Sequence, residues 1–321
     1  MEISENKLIA RISRLGKAGG PVIRGIGDDG AVVSADKGTY VYVQDAIAEG
    51  THFDLSIQTP VDVGKKALAI NVSDCLAMGA LPLYYMVTLG IPDRIVSVQI
   101  EGLYRGMGTI AKTYGLYLLG GDTIATTKDF FIDVSLVGVL VVPDYLGRNK
   151  ALAGDLIGVT GPLGESAYGL EVLRKNPQAR ANRYAKRYRS PEPPYNTWKA
   201  LVDKQIPRAM MDISDGLLLD LDRMMKESRK SAVIHQELIP IAGPLRKAKD
   251  EMMALCGGED YQFLFTFDRS HLADFDALRS TYPGLSVIGE VTEGTGVLLL
   301  DRGKHKEASA KGYEHFQGGR R

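Results

Sequence analysis

The sequence predicts an α/β (α+β) protein built as two successive domains, and three observations carry that prediction. The chain has 321 residues, more than a single core of ordinary size takes up. Alternating β-branched runs and helically spaced apolar runs follow one another in both halves, so strands and helices are mixed rather than segregated. Near residue 145 the composition turns to a loop, "PDYLGRNKALAGD", before a fresh strand begins. This divides the chain into domains 1–145 and 146–321.

The elements follow in order. "MEISENKLIARISRLGK" has the amphipathic spacing of a helix and lacks the apolar region and cleavage site of a secretory leader. "TYVYVQDA" reads as a strand ending at Asp45. Asp62 is placed to cap a helix whose apolar positions, Ala67, Leu68, Val72, Cys75 and Leu76, recur until Gly79-Ala80-Leu81-Pro82 stops it. A strand over Tyr84–Leu89, a helix over roughly Val96–Tyr114 and a strand–turn "LYLLGGDT" come next, then the strong strand "FFIDVSLVGVLV". In the second half, "LIGVT" leads through a plain turn, "GVTGPLGES", into a helix over 165–174. Residues 176–196, rich in Arg, Pro and Tyr and aperiodic, read as a crossing loop. Helix 197–203, strand 208–213, helix 216–228, strands near 263–267 and 286–291, and a C-terminal tail complete the prediction.

Lys+Arg and Asp+Glu each number 39, so no whole-protein field favours nucleic acid or an anionic membrane, and any charged site must be local. A hydrophobic content of 45% is that of a folded enzyme rather than a disordered chain. Cys75 and Cys256 have no CxxC spacing and read as core thiols of a reducing compartment. The best apolar run, Val134 to Pro143, falls far short of the ~20 residues of a membrane span. A cytoplasmic location is expected.

The informative residues are carboxylates in unusual company. In "GIGDDGAVV", Asp28 and Asp29 stand side by side between glycines and valines. Asp45 sits in "YVQDAIAEG", Asp74 inside the apolar helix "AINVSDCLAMGA", Asp122 after two glycines in "LLGGDT", and Asp212 and Asp215 in "MMDISDGLLLDL". Each has an ordinary reading: an ion pair of Asp74 with Lys65 or Lys66, a Gly-Asp turn at Asp122, helix capping by Ser214 or Asp215. As a set they have a common one. Carboxylates ~4 Å apart repel by about 1 kcal/mol in water and several-fold more at an effective dielectric of ~20, so they converge only around cations. Hard oxygen ligands without a Cys/His constellation select Mg²⁺ or Mn²⁺, and Mg²⁺ is held by carboxylates together with substrate phosphates. The chain has no GxxxxGK[ST], no HRD/DFG set, and no HExxH, GxSxG or GxGxxG after a first strand.

In order along nearly the whole chain, "GIGDDGAVV", "DAIAEGTHF", "DVGKKALAINVSDCLAMGA", "GGDT", "DISDGLLLD", "GGEDYQFLFTF" and "KGYEHF" resemble the thiamine-monophosphate kinase family, part of the aminoimidazole ribonucleotide synthetase superfamily. The resemblance implies ATP-dependent phosphorylation of thiamine phosphate. It also implies a homodimer whose N-terminal mixed sheets pair across the interface, and a nucleotide cleft completed by the C-terminal α+β domain. Asp28, Asp45, Asp74, Asp122, Asp212 and Asp215 match the family's magnesium ligands, with Asp29 beside them. Tyr104, Gly121, Asp122, Arg148 and Ser214 match ATP-holding positions, and His52, Glu259 and Tyr313 match positions that contact thiamine phosphate. No general base is expected, because a phosphate monoester dianion is already nucleophilic.

Three positions depart from the family pattern. Gln44 replaces a small hydroxyl residue, Pro194 in "SPEPPY" replaces an arginine, and Gln262 replaces a common glutamate. The alternatives are another ATP-using member of the superfamily, or a nucleotide- or thiamine-binding dimer without turnover.

Overall fold

In a computed structural model, residues 22–24, 28, 31–35, 38–307 and 312–313 are described. The N-terminal helix pattern and Asp29 lie outside them. The first sheet contains β1 (Val22–Arg24), β2 (Ala31–Ala35), β3 (Gly38–Ala48), β4 (Ala80–Pro92), β5 (Tyr117–Thr126) and β6 (Phe131–Leu140), in the order β1-β2-β3-β6-β4-β5. Its pairs are antiparallel except β4 with β5, which are parallel and joined through a helical crossover. Along β3, Val41, Val43 and Ile47 are buried while Tyr42, Gln44 and Ala46 are exposed, so one face is covered and the other open.

The covering helices are α1 (Pro60–Ala77) and α2 (Ser97–Tyr114). Fourteen of the eighteen residues of α1 are buried, because it is packed between β3, β4 and β6 on one side and the second sheet on the other. A helix covered on most sides needs no broad polar face, and the polar residues it does bury, Asp62, Lys66, Asn71 and Ser73, each have a hydrogen-bond partner. The two helices approach closely: a side chain on Gly64 would meet the Leu103 carbonyl oxygen at 1.9 Å.

The second sheet has the order β13-β12-β9-β11-β7-β10-β8. Its strands are β7 (Leu156–Val159), β8 (Ala209–Asp212), β9 (Ser231–His235), β10 (Phe263–Phe267), β11 (Ser286–Thr292), β12 (Gly296–Asp301) and β13 (Lys304–Glu307). Helices α3 (Glu165–Lys175), α4 (Arg183–Arg189), α5 (Tyr195–Asp203), α6 (Leu217–Ser228), α7 (Gly243–Ala248), α8 (Glu251–Cys256) and α9 (Leu272–Thr281) surround it. One apolar core runs from Val32 and Val41 through α1 to Trp198, Phe263 and Phe275, so both sheets share it. The Trp198 indole donates to the Leu76 carbonyl at 2.7 Å, satisfying an acceptor in the last turn of α1.

Several expectations need correction. The cap of α1 is Thr59, not Asp62; Asp62 is the third helical residue and closes a capping box, each side chain accepting from the other's amide. β3 runs past Asp45 to Ala48, and "YLLGGDTIAT" is one continuous strand rather than strand and turn. The aperiodic stretch 176–196 contains α4, capped by Asn182, and Pro194 is the residue before α5. The helix after "DISDG" is capped neither by Ser214 nor by Asp215. Asp220, one turn in, reaches back to accept from the amides of Asp215 (3.0 Å) and Gly216 (3.1 Å). β1, β2, β9, β12 and β13 and the helices α7 to α9 have no counterpart among the predicted elements. Cys75 is buried and its thiol is pushed upward by desolvation, while Cys256 is half-buried. Among the described residues, no helix is long and apolar enough to cross a membrane.

Asp62 also accepts from Arg189 at 2.7 Å, which ties α4 to the start of α1. Asp62→Ala removes a capping box and leaves a mostly buried guanidinium without its carboxylate. A loss of about 2–3 kcal/mol is expected in urea unfolding. A change below ~0.5 kcal/mol would show that this contact does not hold the helix start.

Candidate active site

Three segments meet where α1 lies between the sheets. Asp45 is on the helix-covered face of β3, and its amide donates to the Asn71 side chain at 3.1 Å, fixing β3 against α1. One turn further along α1 is Asp74. From the second sheet, Asp212 ends β8 and accepts from the Ser73 hydroxyl at 2.6 Å across the domain junction. Tyr261 marks their convergence. Its phenol is pushed well above its ordinary value, first by burial and then by the charges of Glu259, Asp45, Asp212 and Asp74.

The "GGEDY" segment is built to present alternate side chains. Glu259 and Tyr261 both have left-handed backbone, with φ of 68° and 49°. Non-glycine residues reach that region at a cost of about 1–2 kcal/mol each, and such strain collects at functional sites. Their amides donate to the Ser214 carbonyl (2.7 Å) and the Ile213 carbonyl (2.9 Å), so the loop is clamped to "DISDG". Asp260, between them, turns the other way and accepts from the amides of Gly164 (2.6 Å) and Ser166 (3.1 Å), capping α3. Burial pushes its carboxyl up to about 7 against the pull of those amides.

A second group of charges lies along α6. Asp28 is buried against Arg148, accepting from its amide at 3.2 Å and lying 3.6 Å from its Nε. The Ser228 hydroxyl donates to the Arg148 carbonyl at 2.6 Å and holds that turn in place. Arg223 pairs with both Asp215 and Asp220, and burial followed by the Asp215 charge pushes the Asp220 carboxyl upward. The Tyr313 amide donates to the Asp215 carbonyl at 3.0 Å, which places Gly312 and Tyr313 against this helix end.

His52 follows β3 in a turn, and its Nδ1 accepts from the Ala48 amide at 3.1 Å, so a neutral ring carries its proton on Nε2. Lys66, on α1, is 1% exposed; it pairs with Glu259, donates to the His52 carbonyl at 2.7 Å and lies 4.7 Å from the Tyr188 ring centre. The lysine that sequence reading offered to Asp74 therefore serves Glu259 instead.

The structure thus fastens Asp45 and Asp212 to the stretch of α1 that ends in Asp74, joins Asp28 to Arg148, and brings Asp215 and Tyr313 together. It does not bring Asp122 to them. Asp122 is exposed on β5, paired with Thr88, and its carboxylate accepts from the Thr123 amide at 2.8 Å. β5 is three strands from β3, about 14 Å at ~4.8 Å per strand. Gly121 is packed against β4, and Tyr104 is half-buried on α2 with its phenol raised by burial. Gln44 is exposed and donates to Asp133 at 2.7 Å. Gln262 accepts from the Thr160 hydroxyl at 3.0 Å, a structural contact within the second sheet.

Sequence reading missed Lys66 as a site residue, and also Tyr261, Ser73, Asp220 and Arg223. Asp220 had a legible signal, a carboxylate one turn into "GLLLD"; Tyr261 had none apart from following Glu259 and Asp260.

The donor set consists of hard carboxylate oxygens. Among the described residues, no three His, Cys, Asp or Glu side chains lie close enough to hold an ion alone. Phosphate oxygens from a ligand would complete a coordination shell, the usual manner of holding Mg²⁺, and the residues present fit it.

The chain matches two domain families, AIR synthase related protein, N-terminal domain, over residues 27–140, and AIR synthase related protein, C-terminal domain, over 153–301. It is 33% identical to the thiamine-monophosphate kinase of Bacillus subtilis (strain 168), covering 91% of this chain and 93% of that one. The thiamine-monophosphate kinase of Escherichia coli (strain K12) is also 33% identical, over 98% of this chain and 99% of its own. Among solved structures, AaThiL complexed with AMPPCP and TMP superposes with a TM-score of 0.83 at 30% identity, over 98% of each chain. With identity at that level over nearly its whole length, the chain belongs to the thiamine-monophosphate kinase family.

Proposed function

We propose that this protein transfers the γ-phosphoryl group of ATP to thiamine phosphate, forming thiamine diphosphate and ADP. The single observation that carries this reading is that Asp45 of the first sheet and Asp212 of the second are both fastened to the Asn71–Asp74 stretch of α1, on the helix that also carries the Lys66–Glu259–His52 group. A site for phosphates thus adjoins a site suited to an organic acceptor. The AMPPCP and TMP held by the related solved structure are an ATP analogue and the acceptor of this reaction.

In the reaction, an oxygen of the acceptor phosphate attacks the γ-phosphorus and the bond to the β,γ-bridging oxygen breaks, releasing ADP. The acceptor is a dianion near neutral pH, so no side chain has to remove a proton. The protein's part is positioning and charge. Asp28, Asp45, Asp74, Asp212 and Asp215 would hold magnesium, with Asp122 from β5 and Asp29 assigned to the same role. Magnesium bound there neutralises phosphate charge. Arg148 and Ser214, with Tyr104 and Gly121, orient the nucleotide. His52, Glu259 and Tyr313 orient the acceptor, an aromatic face suiting a thiazolium or pyrimidine ring. The division of labour falls near residue 145, with metal and nucleotide groups mainly before it and the cleft completed after it.

A homodimer is part of the proposal. Tyr117, Leu118, Leu119 and Ile124 are exposed on the edge strand β5, and Tyr42, Tyr84 and Met86 on the open sheet face. An uncovered apolar edge and face of this kind favour pairing with a second copy.

The test is ADP release with ATP and thiamine phosphate, with free thiamine and an aminoimidazole ribonucleotide precursor as comparison substrates. Turnover with thiamine phosphate alone is expected; equal turnover of the ribonucleotide would overturn the reading. Thermal unfolding gives a second measure. Mg-ATP at about 100 times its Kd should stabilise the protein by ~2.7 kcal/mol, whereas ATP with a chelator, facing unscreened carboxylates, should stabilise it little. Equal shifts would place the nucleotide elsewhere.

A further inference from the structure

We propose that Lys66 is a positioning residue of the acceptor site, setting selectivity for thiamine phosphate by holding the two substrate-contacting segments in register; this rests on the function proposed above. Lys66 stands on α1, while His52 belongs to the turn after β3 and Glu259 to the strained loop before β10. Its ammonium joins them, donating to the His52 carbonyl at 2.7 Å and pairing with the Glu259 carboxylate. The Tyr188 ring, from α4, closes over the same nitrogen at 4.7 Å. A lysine buried to this degree loses hydration that only such partners replace.

The arrangement excludes some roles. With its donors committed to protein acceptors, Lys66 is not a phosphate ligand, and its charge is matched by Glu259. That pairing sets the chemistry Glu259 can offer. A lone carboxylate would attract any cation, whereas one neutralised by a fixed ammonium recognises chiefly a directed hydrogen-bond donor, such as an amino group on a heteroaromatic ring. The Glu259 side chain keeps 29% of its surface exposed, so an oxygen edge remains accessible for that bond. Lys66 thereby converts a charge site into an orientation site.

The experiment is steady-state kinetics on Lys66→Met, Glu259→Gln and the double variant, in the full-length protein, with wild-type turnover of thiamine phosphate established first. That control separates failure of this inference from failure of the proposed function. Lys66→Met should raise the KM for thiamine phosphate by about thirtyfold or more, the effect of truncating one member of a buried hydrogen-bonded charge pair. The KM for ATP and kcat should stay within about twofold, since a contact remote from the transferred group acts on acceptor binding. The decisive comparison is between the double variant and Glu259→Gln alone. If Lys66 acts chiefly through Glu259, the acceptor KM of the double variant exceeds that of Glu259→Gln by less than about tenfold, the remainder being the lost anchor on the His52 carbonyl. Replacing both members of a buried pair is tolerated better than replacing one, so this comparison stands even where Lys66→Met alone does not fold. An acceptor KM in the double variant about thirtyfold or more above that of Glu259→Gln would overturn the proposal, as would loss of kcat with both substrates in Lys66→Met.

Discussion

Asp74→Asn is expected to lower kcat by at least a thousandfold while the protein stays folded and its melting temperature holds or rises. The substitution keeps shape and removes one negative charge from the group that surrounds the Tyr261 phenol. In the metal-free protein those charges repel; two unit charges 8 Å apart at an effective dielectric of ~20 cost about 2 kcal/mol. Relief of that repulsion stabilises the fold, while loss of a magnesium ligand removes several kcal/mol of transition-state stabilisation. Opposite signs for stability and activity distinguish a functional carboxylate from a structural one. The assay is kcat at saturating Mg²⁺ beside thermal unfolding with chelator. Retention of more than a tenth of the wild-type rate would remove Asp74 from the metal set.

The second large effect is expected at Gly121→Ala. The φ of Gly121 is +155°, and an added Cβ would lie 1.8 Å from the Val87 carbonyl oxygen. That neighbour is backbone inside the β4–β5 ladder and cannot move aside without breaking the pairing. A loss of ~3 kcal/mol or more is expected, concentrated in β5. Amide exchange across Tyr117–Thr126 should accelerate, turnover should fall with the displacement of Asp122, and on sizing the proposed dimer should give way to monomer. Gly120→Ala is the comparison. Its φ is +151°, but nothing lies within 4 Å of the added carbon, so a loss near 1 kcal/mol is expected. Equal stability of Gly121→Ala and wild type would refute this account of the edge strand.

The elements most legible in the sequence were those whose own pattern determines them. β3, β6 and α2 show clean alternation or helical spacing, and Gly79, with φ of +81°, ends α1 where the sequence placed its stop. Legibility failed where tertiary contacts decide. α4 is a short helix made worthwhile by Asn182 at its cap and by Arg189 reaching Asp62, neither a matter of periodicity. The shape of the "GGEDY" loop comes from Ser214, Ile213 and the distant amides of Gly164 and Ser166, none of them within the segment itself. The carboxylates of the site stood out because charge in an apolar helix or a glycine loop needs an explanation. Lys66 and Tyr261 did not, because a lysine in "GKKALA" and a tyrosine before a strand are ordinary until their neighbours are known.

Lys66 and Asp74 sit on one helix, eight residues apart. At 1.5 Å of rise per residue this sets about 12 Å between the level proposed to hold the acceptor's ring and the level proposed for the phosphates. Because α1 is locked between the sheets, neither hinge motion nor loop adjustment alters that interval. The helix works as a gauge block: an acceptor whose ring and phosphate are spaced differently engages one level only by missing the other. With the site as proposed, discrimination by length is written into the helical rise itself.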